Sequence, residues 1–128
     1  MPILTEASRK KITLKINLVK KKKRLFYPGR DFVHINDLLN IIFKIIRNNT
    51  SGTNILNVGM GKLTYLDKII KIFGKQVKKK IVYEKKLNEL GNYNYTLSNN
   101  RKLIKKLKYN YKFNLNDIIK SCINKKII

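Results

Sequence analysis

Arg30-Asp31-Phe32-Val33-His34-Ile35-Asn36-Asp37-Leu38-Leu39 is the stretch whose reading decides the fold. Asp31 to Ile35 reads as a short strand. Asn36 or Asp37 then reads as the N-cap of a helix, because a short polar side chain can accept from a free backbone N–H there. Leu38, Leu39, Ile41, Ile42, Phe43, Ile45 and Ile46 cover most of that helix's circumference. A helix apolar on nearly all sides is buried between layers or faces a missing partner.

The flanks extend the strand-then-helix pattern. Upstream, Met1 to Arg9 forms a short helix or a ragged start. Ile12, Leu14, Ile16 and Leu18 alternate with polar residues, the period of a half-buried strand. Lys20 to Arg24 is a basic run that reads as a solvated hairpin tip, with phosphate contact as the other reading. Tyr27-Pro28-Gly29 is a turn signal. Downstream, Asn48 to Gly52 ends the apolar helix. Asn54 to Val58 reads as a strand inside a parallel sheet. Gly59-Met60-Gly61 follows, and Thr64 caps a helix whose Leu66, Ile69, Ile70 and Phe73 share one face, closed by Gly74. Lys80 to Glu84 is a strand, Gly91-Asn92 a turn, and Tyr95 to Leu97 a short extended piece. Ser98 caps a helix bearing Leu103, Ile104 and Leu107. Asn114 or Asn116 starts the last helix, with Leu115, Ile118, Ile119 and Cys122 on one face. Alternating strands and helices make the chain α/β, and residues 1–128 read as one domain.

Composition sets the partners in view. The 128 residues carry 30 Lys+Arg against 7 Asp+Glu, a net charge of +23. Such a balance suits a polyanion, so a small basic nucleic-acid-binding protein is the alternative reading, with Tyr93, Tyr95, Tyr109 and Tyr111 available to stack on bases. The excess of Lys, Asn and Ile is also what an AT-biased genome produces. One cysteine excludes an internal disulfide, and one histidine with it makes no zinc site. No signal peptide or membrane span is legible, so a cytoplasmic location is expected.

Chemistry-bearing motifs are sparse. Gly59-Met60-Gly61 imitates the start of a dinucleotide fingerprint, but Thr64 stands where the third glycine would be, and a tight turn is the simpler use. His34 has apolar neighbours and no nucleophile nearby, so it reads as structural. No nucleophile elbow, carboxylate pair or Walker loop occurs, and no catalytic residue is assigned.

The segment Arg30 to Leu38 resembles the arginine-aspartate-aromatic strand and following helix of the NAD-dependent sugar-nucleotide epimerase/dehydratase family, the extended short-chain dehydrogenase/reductases. Further pieces follow in that family's order: Asn54-Ile55-Leu56-Asn57-Val58-Gly59-Met60-Gly61, the helix from Thr64 to Gly74, and Gly91 to Lys102 with Leu107-Lys108-Tyr109. Lys11 to Leu14 is similar to the strand before the arginine motif. The resemblance covers essentially the whole chain and implies the C-terminal part of a Rossmann-like fold, the nucleotide-sugar side of the enzyme. It implies Arg30 as a contact to the substrate diphosphate, Thr13 and Leu14 on the strand whose edge faces the base, and Asn92 at the ribose. Glu89 stands where an arginine is usual, and Lys85 or Lys86 is placed to offset it. The family's cofactor fingerprint and its tyrosine-x-x-x-lysine pair have no counterpart: none of the seven tyrosines has a lysine four residues on. NAD(P) is thus implied for the complete enzyme and not expected on this chain alone. The implied partners are a nucleotide sugar and a separately encoded NAD-binding half, and the chain is expected to be inactive in isolation.

Overall fold

The computed structural model describes residues 2–10, 12–21, 24–48, 52–87 and 94–124. The elements are α1 (Pro2–Lys10), β1 (Leu14–Lys21), β2 (Arg24–Phe26), β3 (Gly29–Asp31), α2 (Ile35–Arg47), β4 (Leu63–Tyr65), α3 (Leu66–Val77), β5 (Tyr83–Leu87), α4 (Arg101–Leu107) and α5 (Leu115–Asn124). β1 is the centre of a three-stranded sheet in the order β2-β1-β5. It pairs antiparallel with β2 over Val19 to Lys21 and parallel with β5 over Leu14 to Leu18. β3 and β4 form a separate antiparallel pair.

The alternation in β1 is realised: Leu14, Ile16 and Leu18 are buried, while Lys15 and Asn17 face out. The buried row packs with Leu4 and Ala7 of α1, Ile69, Ile70 and Phe73 of α3, and Ile119 of α5 in the main core. The expected apolar face of α3 is therefore its core face. A second cluster joins Ile41 of α2 to Leu103 and Leu107 of α4 and to Tyr109, with Leu56 and Val58 against it.

Several boundaries move. The strand expected at Asp31 to Ile35 is β3, ending at Asp31, and the N-cap of α2 is His34 rather than Asn36 or Asp37. His34 Nδ1 accepts from the Asn36 N–H at 3.1 Å, and its ring stacks on Phe113 with centroids 4.1 Å apart. This histidine is structural. Asp37, fully buried, accepts from Tyr109 Oη at 2.7 Å and from the N–H groups of Lys112 and Phe113 at 3.1 and 3.2 Å. One carboxylate thus holds the start of α2 to the chain after α4, and satisfies one buried and two part-buried donors that would otherwise be costly.

Thr64 lies in β4 and caps nothing. The N-cap of α3 is Tyr65, and the helix runs past Gly74 to Val77, ending on Lys78 in the left-handed region (φ 52°). The strand expected at Lys80 to Glu84 is displaced to β5. Ser98 gives way to Asn100 as the residue before α4. Asn114 does start α5: its Oδ1 accepts from Asn116 and Asp117, and Asp117 Oδ2 accepts from the Asn114 N–H in return, a reciprocal capping box. Residues 54–58 form no strand and ladder with none among the described residues.

Candidate functional site

The site grows around β3. Asp31 Oδ1 accepts from the Met60 N–H at 3.0 Å, and Oδ2 accepts from Gly61 at 2.9 Å and Ser98 at 3.1 Å. A single side chain therefore ties the Gly59-Met60-Gly61 loop and the segment before α4 to this strand. Gly59 is required by proximity, since a Cβ there would lie 2.5 Å from Asp31 Oδ2 and from Ser98 Cβ. Gly59 O accepts from Asn100 Nδ2 at 2.7 Å and from Tyr111 Oη.

This arrangement decides what the glycine loop can hold. Its Met60 and Gly61 N–H groups already bind a carboxylate, and the chain leaves the loop into β4 rather than into a helix. The loop does not fit a dinucleotide pyrophosphate, which needs free N–H groups at a helix start. Among the described residues no cluster of three or more His, Cys, Asp or Glu side chains could hold a metal ion. No helix among them is long and apolar enough to cross a membrane.

At the other end of β3, Gly29 pairs with Tyr65 and bridges to Tyr95. Its N–H donates to Asn94 O at 3.0 Å and its carbonyl accepts from Thr96 at 3.1 Å. Beside it opens a groove of about 170 Å³ lined by Val19, Phe26, Tyr27, Tyr65, Asn94 and Tyr95. The tyrosine rings give it flat apolar walls. Tyr27 Oη lies 3.2 Å from Tyr83 Oη, and this hydrogen bond, more than burial, raises the Tyr83 pKa. Lys85 Nζ sits 5.6 Å from the centroid of the Tyr27 ring, a cation over one of the rings that line the groove. Arg30 follows Gly29 in β3, is half-buried, pairs with Thr64, and donates from Nη1 to Gly29 O at 2.7 Å. Stacking surfaces with a lysine over one ring and an arginine next along the strand are the chemistry for a planar base carrying an anionic group.

The residues expected at a ligand separate. Arg30 lies one position along β3 from the strand pairs that carry Tyr65 and Tyr95. Thr13 is exposed just before β1. The Leu14 side chain is in the main core at 8% exposure, and its N–H donates to Val82 O at 3.1 Å on the β5 side. Residues 14–18 use one edge for β5, and β2 takes only 19–21 of the other, which leaves the second edge of 14–18 without a described strand. Asn92 and Glu89 lie outside the described residues. Tyr27 and Tyr65 escaped sequence reasoning. Tyr27 reads as part of a turn and Tyr65 as the start of a helix, and only the β3–β4 pairing brings them to one groove.

No protein-family model matches the chain, and no curated protein matches it by sequence. Solved structures do match by shape. UDP-glucose 4-epimerase from Bifidobacterium longum, solved with NAD+ and UDP, superposes with a TM-score of 0.83 at 19% identity, over 96% of this chain and 37% of that one. The enzyme from Stenotrophomonas maltophila, with bound NAD and formylated UDP-arabinopyranose, gives 0.85 at 12% identity, over 95% and 37%. The UDP-Glc/GlcNAc 4-epimerase of Campylobacter jejuni gives 0.78 at 22% identity, over 96% and 38%. The chain thus spans less than two-fifths of the length of the structures it matches. It has the α/β fold of the C-terminal portion of the NAD-dependent epimerase/dehydratase enzymes.

Proposed function

We propose that this chain is the nucleotide-sugar-binding portion of an NAD-dependent epimerase/dehydratase. The observation that carries the reading is the tyrosine-walled groove beside Gly29, with Lys85 over the Tyr27 ring and Arg30 the next residue of β3. In this reading the base of a nucleoside diphosphate sugar lies against the tyrosines, and the arginine fork takes the diphosphate. The open edge of β1, the strand that Thr13 precedes and Leu14 begins, faces the base, and Asn92 takes the ribose. Support comes from the fold match to structures that hold UDP or UDP-sugars.

The chain binds but does not turn over. Oxidation and reduction of a sugar need a hydride acceptor, the glycine loop here does not fit one, and no tyrosine-lysine pair at the family spacing is available as base. The NAD(P) chemistry belongs to the complete enzyme and its NAD-binding portion. The test is calorimetric titration with UDP-glucose at moderate salt. Arg30→Ala should weaken binding about tenfold to hundredfold, the range of one charge-assisted hydrogen-bonding group, and Arg30→Lys should recover part of it. Turnover of UDP-glucose with added NAD by the isolated chain would refute the inactive reading. Preference for single-stranded RNA over UDP-glucose, with a steep loss of affinity with salt, would favour a nucleic-acid-binding protein instead.

A further inference from the structure

A second recess, of about 410 Å³, shares no lining residue with the tyrosine groove. Three segments wall it: Ala7 and Ser8 near the end of α1, Ile12 on the way into β1, and residues 79–82 between α3 and β5. Its volume falls in the range of about 300–1,000 Å³ usual for small-molecule sites. Ala7 and Ile81 are buried and make its floor, while Ile12 at 49% exposure and Val82 at 58% stay open to solvent. Lys79 and Lys80 complete the wall, and their stems are apolar below the charged heads. Backbone bonds hold this shape: the Leu14 N–H donates to Val82 O at 3.1 Å, and the Lys79 N–H donates to Gly74 O at 3.0 Å.

We propose that this recess binds an aliphatic carboxylate, its alkyl chain seated on Ala7, Ile12, Ile81 and Val82 and its head group on the Lys79 and Lys80 ammoniums. The lining holds two cations and no carboxylate, and exposed Arg9, Lys10 and Lys78 add charge beside it. Glu6 of α1 is paired with Lys10 at 2.9 Å, and Glu84 of β5 does not line the recess. Both α1 and α3 end here, and the carbonyls at a helix C-terminus oppose an anion. Lys79 answers this with two bonds, from its N–H to Gly74 O and from Nζ to Ser8 O at 3.3 Å, and its ammonium keeps two further protons for a ligand. Three features select the occupant. No aromatic ring lines the recess, so a nucleotide base has nothing to stack on. A second copy of the chain is opposed by charge, since each carries +23. A bilayer takes up a protruding apolar face, whereas half of this apolar surface is a buried floor that only a single chain can reach.

The experiment titrates the full chain with decanoate, below its micellar concentration, by calorimetry and by proton–nitrogen correlation spectra. Expected are saturable binding of a single decanoate, shifts at the amides of Ser8, Ile12, Ile81 and Val82, and at least about tenfold weaker binding of neutral decanol, which lacks the charge that the lysines read. Lys79→Ala with Lys80→Ala should weaken decanoate at least about tenfold. Val82→Glu, which sets a carboxylate at the mouth, should do the same. All three positions are exposed, so the melting temperature should stay within a few degrees of wild type. The decanol comparison and the shift map need no variant, so the proposal stays testable if a variant fails to fold. Equal affinity for decanol, no saturable binding, or shifts confined to the exposed apolar side of α2 around Phe43 would overturn it. Binding only to phosphatidylglycerol vesicles would do so too, as would displacement of decanoate by UDP-glucose, which would put the acid in the tyrosine groove.

Discussion

Replacing Asp37 by alanine should be among the most damaging single changes in this chain. The carboxylate is fully buried and accepts from three donors: Tyr109 Oη at 2.7 Å, and the Lys112 and Phe113 N–H groups at 3.1 and 3.2 Å. Asp37→Ala leaves two backbone donors and one hydroxyl without a partner. At about 1–3 kcal/mol for each buried unsatisfied group, and with water reaching some of them, the loss is about 3–5 kcal/mol. The carboxylate also lies in the first turn of α2, where the helix dipole adds about 0.3–1 kcal/mol. For a domain of this size the melting temperature should fall by about 10–20 °C. Urea unfolding followed by far-ultraviolet circular dichroism measures the change. Asp67→Ala removes the 3.6 Å surface pair with Lys71 and a first-turn carboxylate of α3, and should cost no more than about 1 kcal/mol. A double-mutant cycle with Tyr109→Phe should give a coupling of at least about 0.5 kcal/mol. A loss below about 1 kcal/mol for Asp37→Ala, or strict additivity with Tyr109→Phe, would refute the claim that this carboxylate holds the two segments together.

Three further outcomes are expected. Burial, and after it the hydrogen bond to Asp37, pushes the Tyr109 pKa up to about 12. A folded pKa above the unfolded value of about 10 means that the protonated phenol stabilises the fold fully below about pH 10, and that this contribution is lost as pH rises through about 12. The stability difference between wild type and Tyr109→Phe should therefore be flat up to about pH 10 and shrink above it, with lysine titration cancelling in the difference. Gly59→Ala should cost about 1–3 kcal/mol by overpacking, because the new Cβ would meet Asp31 and Ser98 at 2.5 Å; a neutral result in thermal melting would contradict the tight docking of that loop. Asp31→Ala should release the Met60, Gly61 and Ser98 N–H groups together, read as loss of hydrogen-exchange protection at all three amides and not at one.

Much was legible in local pattern. Period two in β1 and the i, i+3, i+4, i+7 spacing in α3 place Leu14, Ile16, Leu18, Ile69, Ile70 and Phe73 in the core without further information, because burial of one face imposes its period on the chain. The nearly all-round apolar surface of α2 is also visible in sequence, as are the structural role of His34 and a start of α5 at Asn114 or Asn116, of which the structure takes Asn114. What failed was anything decided by a partner distant in sequence. Asp37 reads as a cap, yet it serves donors more than 70 residues away. Asn54 to Val58 has the composition of a buried strand, but it ladders with no strand among the described residues. Thr64 has the residue type of a cap, but pairing with Arg30 claims it for a strand.

The same division holds at the site. Sequence alone singled out Arg30, through a short motif whose residues are contiguous. It could not assemble Tyr27, Tyr65 and Tyr95 into one groove, since their meeting depends on Gly29 pairing with one strand and bridging to another segment. Sequence determines the periods, caps and turns, because those energies are set within a few residues. Tertiary structure decides which unpaired donors, rings and edges meet, because those energies arise only when segments far apart in the chain exclude water from each other.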